Sequence, residues 1–378
     1  MKVYLDNAAT TRLDSEVADA MKDVMDRVYG NPSSVHGFGR EARTVIDRAR
    51  KKTAEILNAS PSEIFFTSGG TEANNMVLRK SVADLGVKRI ITTPVEHHAV
   101  LHTAEELAKL GLVELDLVEL DSDGHVNYDH LNQLLSKGDK TLVSLMHANN
   151  EIGTKMNMEL AASICKEHNA LFHSDAVQTM GHHKFNLSGT YLNFTNCAAH
   201  KFHGPKGTGF CYIKSDVRLQ PLITGGAQER NMRAGTENIY GIVGLSKALE
   251  IADREFEKES TYIRGLKNYM VSQLKDSVPG IEFNGDISDD SLYTVLNVCF
   301  PETPDSDMLL FKLDIEGISV SGGSACSSGS NVGSHVIRHF RGNTERPSIR
   351  FSFSKYNTRE ELDYTLSVLK KLFVPEIA

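Results

Sequence analysis

Short apolar runs alternate with longer amphipathic segments between residues 64 and 213. Ile64–Thr67 has the length and composition of a buried strand, and Glu72–Lys80 has the apolar spacing of a helix that follows it. The pattern continues with strands at 89–93, 112–120, 141–147, 171–175 and 209–213, and with helices at 98–110, 129–135 and 158–168. Because strands that alternate with helices form βαβ units, we predict an α/β fold whose largely parallel sheet is covered on both faces.

The length of the chain predicts two domains, since 378 residues are many for one hydrophobic core. A helix marked by apolar residues from Phe38 to Leu57 precedes the sheet, and a helical pattern after Ile239 runs into a charged stretch at 253–259. Beyond it the pattern predicts strands at 294–300, 318–321 and 349–353 and helices at 305–314 and 358–372. We therefore predict a large domain at 14–257 and a smaller α+β domain formed by 1–13 and 258–378.

The composition argues against several classes of function. A net charge of -8 and a pI near 6.0 do not fit a nucleic-acid or anionic-membrane binder. No apolar run approaches the roughly 20 residues that span a bilayer, and Asp6 interrupts the N-terminus too early for a secretory signal. Five cysteines without regular spacing indicate reduced thiols. We expect a cytoplasmic protein.

An acid and a lysine in the second half of the predicted sheet indicate a pyridoxal phosphate (PLP) enzyme. Asp175 ends a predicted strand, and Lys201 lies in a turn flanked by histidines and glycines. A lysine amine forms a Schiff base with the PLP aldehyde, and a carboxylate keeps the ring nitrogen protonated. The simpler interpretations are a surface lysine and a strand-end cap. The two residues together favour the PLP site.

Other residues near predicted strand ends fit the same site, because ligands of parallel sheets bind at the carboxyl ends of strands. Ser68–Glu72 follows a strand and opens a helix, so Gly70 and Thr71 are candidates for holding a phosphate, although an ordinary capped turn has the same pattern. His97 lies where an imidazole can stack on a planar ring. Asn149 is a candidate for contacts to the cofactor phenolic oxygen or to a substrate carboxylate.

A histidine-bound metal is the alternative to a stacked His97. His98 and His102 are one helical turn apart, as are His335 and His339, but no motif supplies the remaining ligands. We therefore predict no metal site.

Two residues near the C-terminus point to the substrate. Arg350 lies on a predicted strand among apolar neighbours and needs an anionic partner, either a substrate carboxylate or an internal acid. Cys326 lies in a serine- and glycine-rich stretch, whereas the other four cysteines have apolar surroundings. A loop thiol beside a cation can react as a thiolate. A PLP site with such a cysteine indicates sulfur transfer.

Together these residues resemble the NifS/IscS-type cysteine desulfurases of the class V aminotransferase family, which are fold-type-I PLP enzymes. The matching motifs run almost end to end along the chain: 4–11, 30–34, 68–72, 96–97, 149–153, 175–178, 199–207, 229–236, 324–326 and 348–352. The resemblance implies a large domain with a mainly parallel seven-stranded sheet and a smaller α+β C-terminal domain.

The resemblance also implies roles at the matching positions. Lys201 is expected to form the Schiff base and move the proton, Cys326 to take the sulfur from L-cysteine, and His97 to stack on the ring. Arg350 is expected to clamp the substrate carboxylate. The remaining cofactor contacts are expected from Gly70, Thr71, Asn149, Asp175, Gln178, His200 and, donated by the second subunit of a homodimer, Thr236.

The chain departs from the family at one cofactor position. Family members usually carry a phosphate-binding serine two residues before the active-site histidine, and this chain has Ala198. Loss of one charge-assisted hydrogen bond is expected to weaken cofactor binding by about 1–3 kcal/mol.

The expected reaction converts L-cysteine to L-alanine and leaves a persulfide on Cys326, for delivery to an iron–sulfur scaffold or another sulfur acceptor. Three alternatives remain open: a selenocysteine lyase, a class V aminotransferase that does not use Cys326, and a subunit without PLP.

Overall fold

The computed structural model describes residues 1–322, 333–342, 344 and 346–373. Within these residues the strands are β1 (Val3–Tyr4), β2 (Ile64–Thr67), β3 (Arg89–Thr92), β4 (Glu114–Leu117), β5 (Thr141–Ser144), β6 (Leu171–Ser174), β7 (Phe194–Ala198), β8 (Gly209–Ile213), β9 (Glu282–Asn284), β10 (Val295–Cys299), β11 (Ile318–Ser319) and β12 (Ser348–Ser352). The helices are α1 (Ser15–Arg27), α2 (Gly37–Ile56), α3 (Gly70–Leu85), α4 (His98–Lys109), α5 (Tyr128–Leu135), α6 (Met158–Glu167), α7 (Gln228–Asn231), α8 (Ile239–Arg254), α9 (Phe256–Ser277), α10 (Leu309–Ile315), α11 (His335–Arg341) and α12 (Arg359–Phe373).

A seven-stranded sheet dominates the fold, in the order β2-β8-β7-β6-β5-β3-β4. Strand β8 is antiparallel to both of its neighbours, and the other pairs are parallel. The inner strands β3, β5 and β7 are buried at every position, as expected for a sheet covered on both faces. The predicted α/β fold with a mainly parallel seven-stranded sheet is confirmed.

Three apolar cores pack against the seven-stranded sheet and the smaller antiparallel sheet. One core packs α1, α2, α5, α6 and α8 against the large sheet, and another packs α3 and α4 on it. A separate core joins α9, α10 and α12 to the antiparallel sheet β12-β10-β9, with Val3 and Leu5 packed into it. The N-terminal residues thus pack with the C-terminal sheet. The division into 14–257 and 1–13 with 258–378 remains a prediction, and its boundary falls in the first turn of α9.

Element boundaries mostly follow the predicted ones. β2 and β8 match, whereas the strand predicted at 112–120 shortens to Glu114–Leu117. β7 was missed because Phe194–Ala198 mixes polar and apolar residues and so lacks the apolar run of a buried strand. In the folded sheet the polar residues Thr195 and Asn196 are buried. The helical pattern after Ile239 divides at Glu255 into α8 and α9. Among the described residues, every helix is too short or too polar to cross a membrane.

Candidate active site

A cavity of about 260 Å³ opens at the carboxyl ends of the large sheet. The loops after β2, β3, β5, β6 and β7 reach it, and β12 contributes from the smaller sheet. Of the residues predicted from the sequence, the cavity wall includes Gly70, Thr71, His97, Asp175, Gln178, His200, Lys201 and Arg350. Residues far apart in the chain thus meet in one place.

Lys201 ends a short turn, Ala199–Lys201, that follows β7. Its Nζ donates hydrogen bonds to the carbonyl oxygens of Ala8 at 2.7 Å and Ala9 at 2.8 Å. The N-terminal segment therefore forms the wall that faces the amine. The Nε2 of Gln178 also donates to the Ala8 carbonyl, at 3.1 Å.

Asp175 follows β6 and is buried. Its carboxylate accepts hydrogen bonds from Asn74 Nδ2 at 2.7 Å and from the Val177 amide at 3.0 Å. The partner Asn74 is held in turn by Asn196 of β7. These contacts fix the orientation of a carboxylate at the cavity wall.

His97 caps the N-terminus of α4, where its Nδ1 accepts from the Ala99 amide at 3.1 Å. Burial lowers the pKa of His97 below its ordinary value, so its imidazole is neutral at pH 7. The next histidine, His98, contacts His335 at 3.1 Å and stacks on His102 at 4.4 Å. Among the described residues no group of three or more potential ligands is arranged to hold a metal.

The start of α3 fits an anionic group. Gly69 precedes the helix with φ 152° and ψ -174°, a conformation nearly restricted to glycine, and provides no side-chain cap. The first residues of the helix, Gly70 and Thr71, line the cavity, and the helix start has no side-chain cap to compete with an anion for its amides. A Cβ on Gly70 would lie 2.5 Å from Cγ2 of Val177 and force that side chain to move.

His200 and Ala198 also line the cavity. The ring of His200 contacts Thr10 Oγ1 at 3.1 Å through Nδ1. Burial lowers the pKa of His200 to about 4, so the ring is neutral at pH 7 and carries one N–H. A methyl group stands at Ala198, where a serine would add a hydroxyl donor.

Arg350 lies on β12 and is 1% exposed. Its Nη2 donates to Asp6 Oδ1 at 2.8 Å and its Nη1 to the Asn150 carbonyl at 3.0 Å. Among the described residues, its Nε has no hydrogen-bond partner. The carboxylate of Asp6 thus holds the guanidinium of Arg350 in place, and the Nε–H of Arg350 is left as a donor for a ligand.

Two predicted residues lie outside this cavity. The Asn149 side chain donates to the Val95 carbonyl at 2.9 Å and accepts from the Glu151 and Ile152 amides, so it shapes a turn, and its neighbour Asn150 lines the cavity instead. Thr236 is exposed beside a smaller cavity near Ser68. The predicted contacts of both with the cofactor stay predictions.

Cys326 lies outside the described residues. The four other cysteines, Cys165, Cys197, Cys211 and Cys299, are buried. Burial raises the pKa of Cys165 to about 12 and the pKa values of Cys197 and Cys211 well above their ordinary value. These three thiols remain protonated at pH 7 and are poor nucleophiles.

The sequence motifs contained further residues to which no role was assigned. Glu96 is fully buried, accepts from Thr93 Oγ1 and the Met146 amide, and has a pKa raised by burial to about 8. Glu151 also lines the cavity, and burial raises its pKa. The sequence signal for Glu96 was its position next to His97, in the turn between a strand and a helix. Nothing in a single sequence marks it as buried.

Comparison with known proteins places the chain in the class V aminotransferase family, whose description matches residues 3–365. The cofactor of this family is PLP. Within it, the chain belongs with the NifS/IscS-type cysteine desulfurases. It is 44% identical over 375 residues to cysteine desulfurase IscS of Dictyoglomus turgidum, covering 98% of this chain and 94% of that protein.

Solved structures agree with this assignment. A NifS-like protein matches with a TM-score of 0.90 and 40% identity, over 98% of this chain and 99% of that chain. A structure described as SspA in complex with cysteine matches with a TM-score of 0.82 and 28% identity, over 94% of this chain and 100% of that chain.

Proposed function

We propose that this chain is a PLP-dependent cysteine desulfurase of the cytoplasm, which converts L-cysteine to L-alanine and passes the sulfur to its own Cys326. The observation that carries the proposal is the meeting of the Lys201 amine and the Asp175 carboxylate in one cavity beneath an uncapped helix start. The family assignment supports the same conclusion.

The residues of the cavity fit PLP. Asp175 is a fixed carboxylate that can face a pyridinium nitrogen, and the start of α3 with Gly70, Thr71 and neutral His200 suits a phosphate. When bound, PLP supplies an electron-accepting ring that stabilises the charge left by loss of a substrate α-proton. Neutral His97 borders the space for the ring without adding a positive charge.

Lys201 takes the substrate α-proton on its Nζ and later returns a proton to the carbon skeleton. In this structure the Ala8 and Ala9 carbonyls accept hydrogen bonds from that amine and place it at the cavity wall. Arg350 binds the substrate carboxylate through its Nε–H, which has no partner among the described residues, while Asp6 keeps the guanidinium in position.

Sulfur transfer needs a thiolate, and burial makes the described cysteines poor candidates. Cys326 Sγ attacks the substrate sulfur: an S–S bond forms, the substrate C–S bond breaks, and its electron pair stays with the carbon, which takes up a proton. The products are L-alanine and a persulfide, so no external oxidant or reductant is consumed. The persulfide then serves a sulfur acceptor such as an iron–sulfur scaffold protein.

We also propose a homodimer. Thr236 is exposed and separate from the Lys201 cavity, as expected for a residue that completes the phosphate site of a second copy. Mixing two inactive variants, Lys201→Ala and Thr236→Ala, tests this arrangement. Recovery of part of the activity in the mixed dimer supports it, and a monomeric, fully active wild type contradicts it.

The proposed activity is tested by incubating the PLP-loaded protein with L-cysteine and an excess of a thiol reductant, which reduces the persulfide and releases its outer sulfur as sulfide, and by measuring alanine and sulfide. Equal amounts are expected from the wild type, none from Lys201→Ala, and wild-type amounts from Lys206→Ala, which changes an exposed lysine of the same turn. Keto-acid-dependent amino transfer without sulfur release would instead identify an aminotransferase, and preferential turnover of selenocysteine would identify a lyase for that amino acid.

A further inference from the structure

A histidine and a tyrosine connect the Lys201 turn to the smaller sheet. His182 lies in the segment that connects β6 to β7, and Tyr293 lies two residues before β10. The His182 Nε2 is 3.2 Å from the Lys201 carbonyl oxygen, and its Nδ1 is 3.2 Å from the Tyr293 hydroxyl. The two rings meet edge to face, with centroids 5.8 Å apart.

The hydrogen bonds assign the protons of this link. Burial lowers the pKa of His182, so the ring is neutral at pH 7 and carries one N–H. A carbonyl oxygen only accepts, and therefore Nε2 carries the proton and donates to Lys201. Burial raises the pKa of Tyr293, so its hydroxyl stays protonated and donates to Nδ1. Both bonds depend on this single arrangement of protons.

The neighbouring contacts make the link rigid. Tyr293 is 5% exposed, and the buried Lys267 donates to Ser291 Oγ and to the Leu292 carbonyl, immediately before it. On the other side, the His200 carbonyl accepts from the Thr11 amide, and the Ala199 carbonyl accepts from Phe202 and Gly204. The carbonyls of Ala199, His200 and Lys201 therefore each accept a hydrogen bond, and the donor to the Lys201 carbonyl is His182.

The link also connects the segments that carry Lys201 and Arg350, the two proposed substrate-contacting residues. Tyr293 leads into β10, and β10 pairs with β12 so that Asn297 lies opposite Arg350. The amine that moves the proton and the guanidinium that binds the carboxylate are thus joined through Tyr293 and His182. Small displacements of reacting groups, of about 1 Å, can lower rates about 100-fold.

We propose that His182 and Tyr293 are positioning residues, which fix the Lys201 turn relative to the strand that carries Arg350. This inference rests on the proposed function, since it assigns the link a role in the desulfurase reaction. Neither residue lines the Lys201 cavity.

The variants for its test are Tyr293→Phe, which removes only the hydroxyl, His182→Ala, and His182→Gln, whose amide can still donate to the Lys201 carbonyl. Tyr364→Phe is the matched control, because the Tyr364 hydroxyl donates to the Glu316 carbonyl and neither residue lines the Lys201 cavity. The measurements are kcat and KM for L-cysteine, the absorbance of the bound cofactor as a function of pH, and the unfolding midpoint in urea.

We expect Tyr293→Phe and His182→Ala to lower kcat about 10-fold or more with little change in KM, because Arg350 keeps its partners. Both substitutions should shift the pH midpoint of the cofactor absorbance in the same direction. In His182→Gln the midpoint should lie much closer to the wild-type value than in His182→Ala. Wild-type kcat and midpoint in both variants would overturn the proposal. So would a loss of activity that follows only the unfolded fraction, with an unchanged midpoint.

Failure of the proposed function is distinguishable from failure of this inference. If the wild type releases no sulfur from L-cysteine, the desulfurase assignment fails, whereas the cofactor absorbance still decides whether the link positions Lys201. An unshifted midpoint in Tyr293→Phe and His182→Ala would then reject the positioning role as well.

Discussion

Single side chains in the cavity are held by partners that lie in distant parts of the chain. Lys201 contacts the Ala8 and Ala9 carbonyls, Asp175 contacts Asn74, and Arg350 contacts Asp6. Each contact joins residues more than a hundred positions apart. The positions of Lys201 and Arg350 therefore depend on contacts with the N-terminal segment as well as on the elements that carry these residues.

Ala198→Ser tests the missing phosphate contact. Because Ala198 lines the cavity beside His200, a serine there is expected to add one charge-assisted hydrogen bond and to strengthen cofactor binding by about 1–3 kcal/mol. Equilibrium dialysis of PLP against the apoprotein measures the change. Unchanged or weaker binding would show that the phosphate is held elsewhere.

The sequence predicted that Lys201 and Asp175 share one site, and the structure places both in one cavity wall. Asp175 follows a predicted strand at a position where ligands of parallel sheets bind, but β7, the strand before Lys201, was missed. The cofactor roles of both residues stay predictions. Asn149 shows the limit: its amide serves the backbone of its own turn, and residue type alone cannot distinguish that contact from a ligand contact. Glu96 and Asp6 depend on burial and on distant partners, which appear only after folding.

Secondary-structure elements were predicted best where both faces are buried or one face is clearly apolar. β2 and β8 are continuous apolar runs, and α2 has a regular apolar face. The segment around α7 has no such signal: Glu229, Arg230 and Asn231 adopt left-handed backbone angles, with φ of 45°, 56° and 64°. A run of this kind costs free energy and needs strong partners.

Glu229→Gln tests what holds that run. Glu229 makes two hydrogen bonds of 2.7 Å with the buried Arg50 and accepts from the Phe66 amide at 2.9 Å. Removing the charge leaves Arg50 buried without its anion, so the free energy of unfolding should fall by about 3–5 kcal/mol. Urea unfolding measures it.

The matched control is Asp23→Asn, which breaks the exposed Arg27–Asp23 pair of α1. It should leave the free energy of unfolding nearly unchanged, since exposed pairs contribute little. Equal effects of the two substitutions would contradict a structural role for the buried pair.

At the scale of the whole molecule, the cavity lies where two sheets and the N-terminal segment meet. Lys201 comes from the large sheet, Arg350 from the smaller one, and Ala8 from the segment between them. The alternating pattern predicted the large sheet. Packing of Val3 and Leu5 with the C-terminal sheet requires contacts across the full length of the chain, which local patterns do not contain.

The pH dependence of stability above pH 6.5 tests the burial of Glu96. Burial raises the pKa of Glu96 from 4.5 to about 8. Between pH 4.5 and 8, Glu96 is therefore protonated in the folded protein and ionised in the unfolded chain. The free energy of unfolding should therefore fall as pH rises toward 8, by up to about 1.4 kcal/mol per pH unit from this group. Urea midpoints from pH 6.5 to 8 measure the slope.

Glu96→Gln should flatten that slope, because the amide does not titrate, whereas the exposed Glu105→Gln on α4 should keep it. A slope that survives in Glu96→Gln would mean that another group titrates in this range.

The transfer of sulfur to Cys326 is tested most directly by the mass of the peptide that contains residue 326, after the PLP-loaded protein is incubated with L-cysteine. We expect one added sulfur atom on that peptide, removed by a thiol reductant and absent in Lys201→Ala. Alanine formation without added sulfur on that peptide, or added sulfur on the peptides of the four buried cysteines, would contradict it.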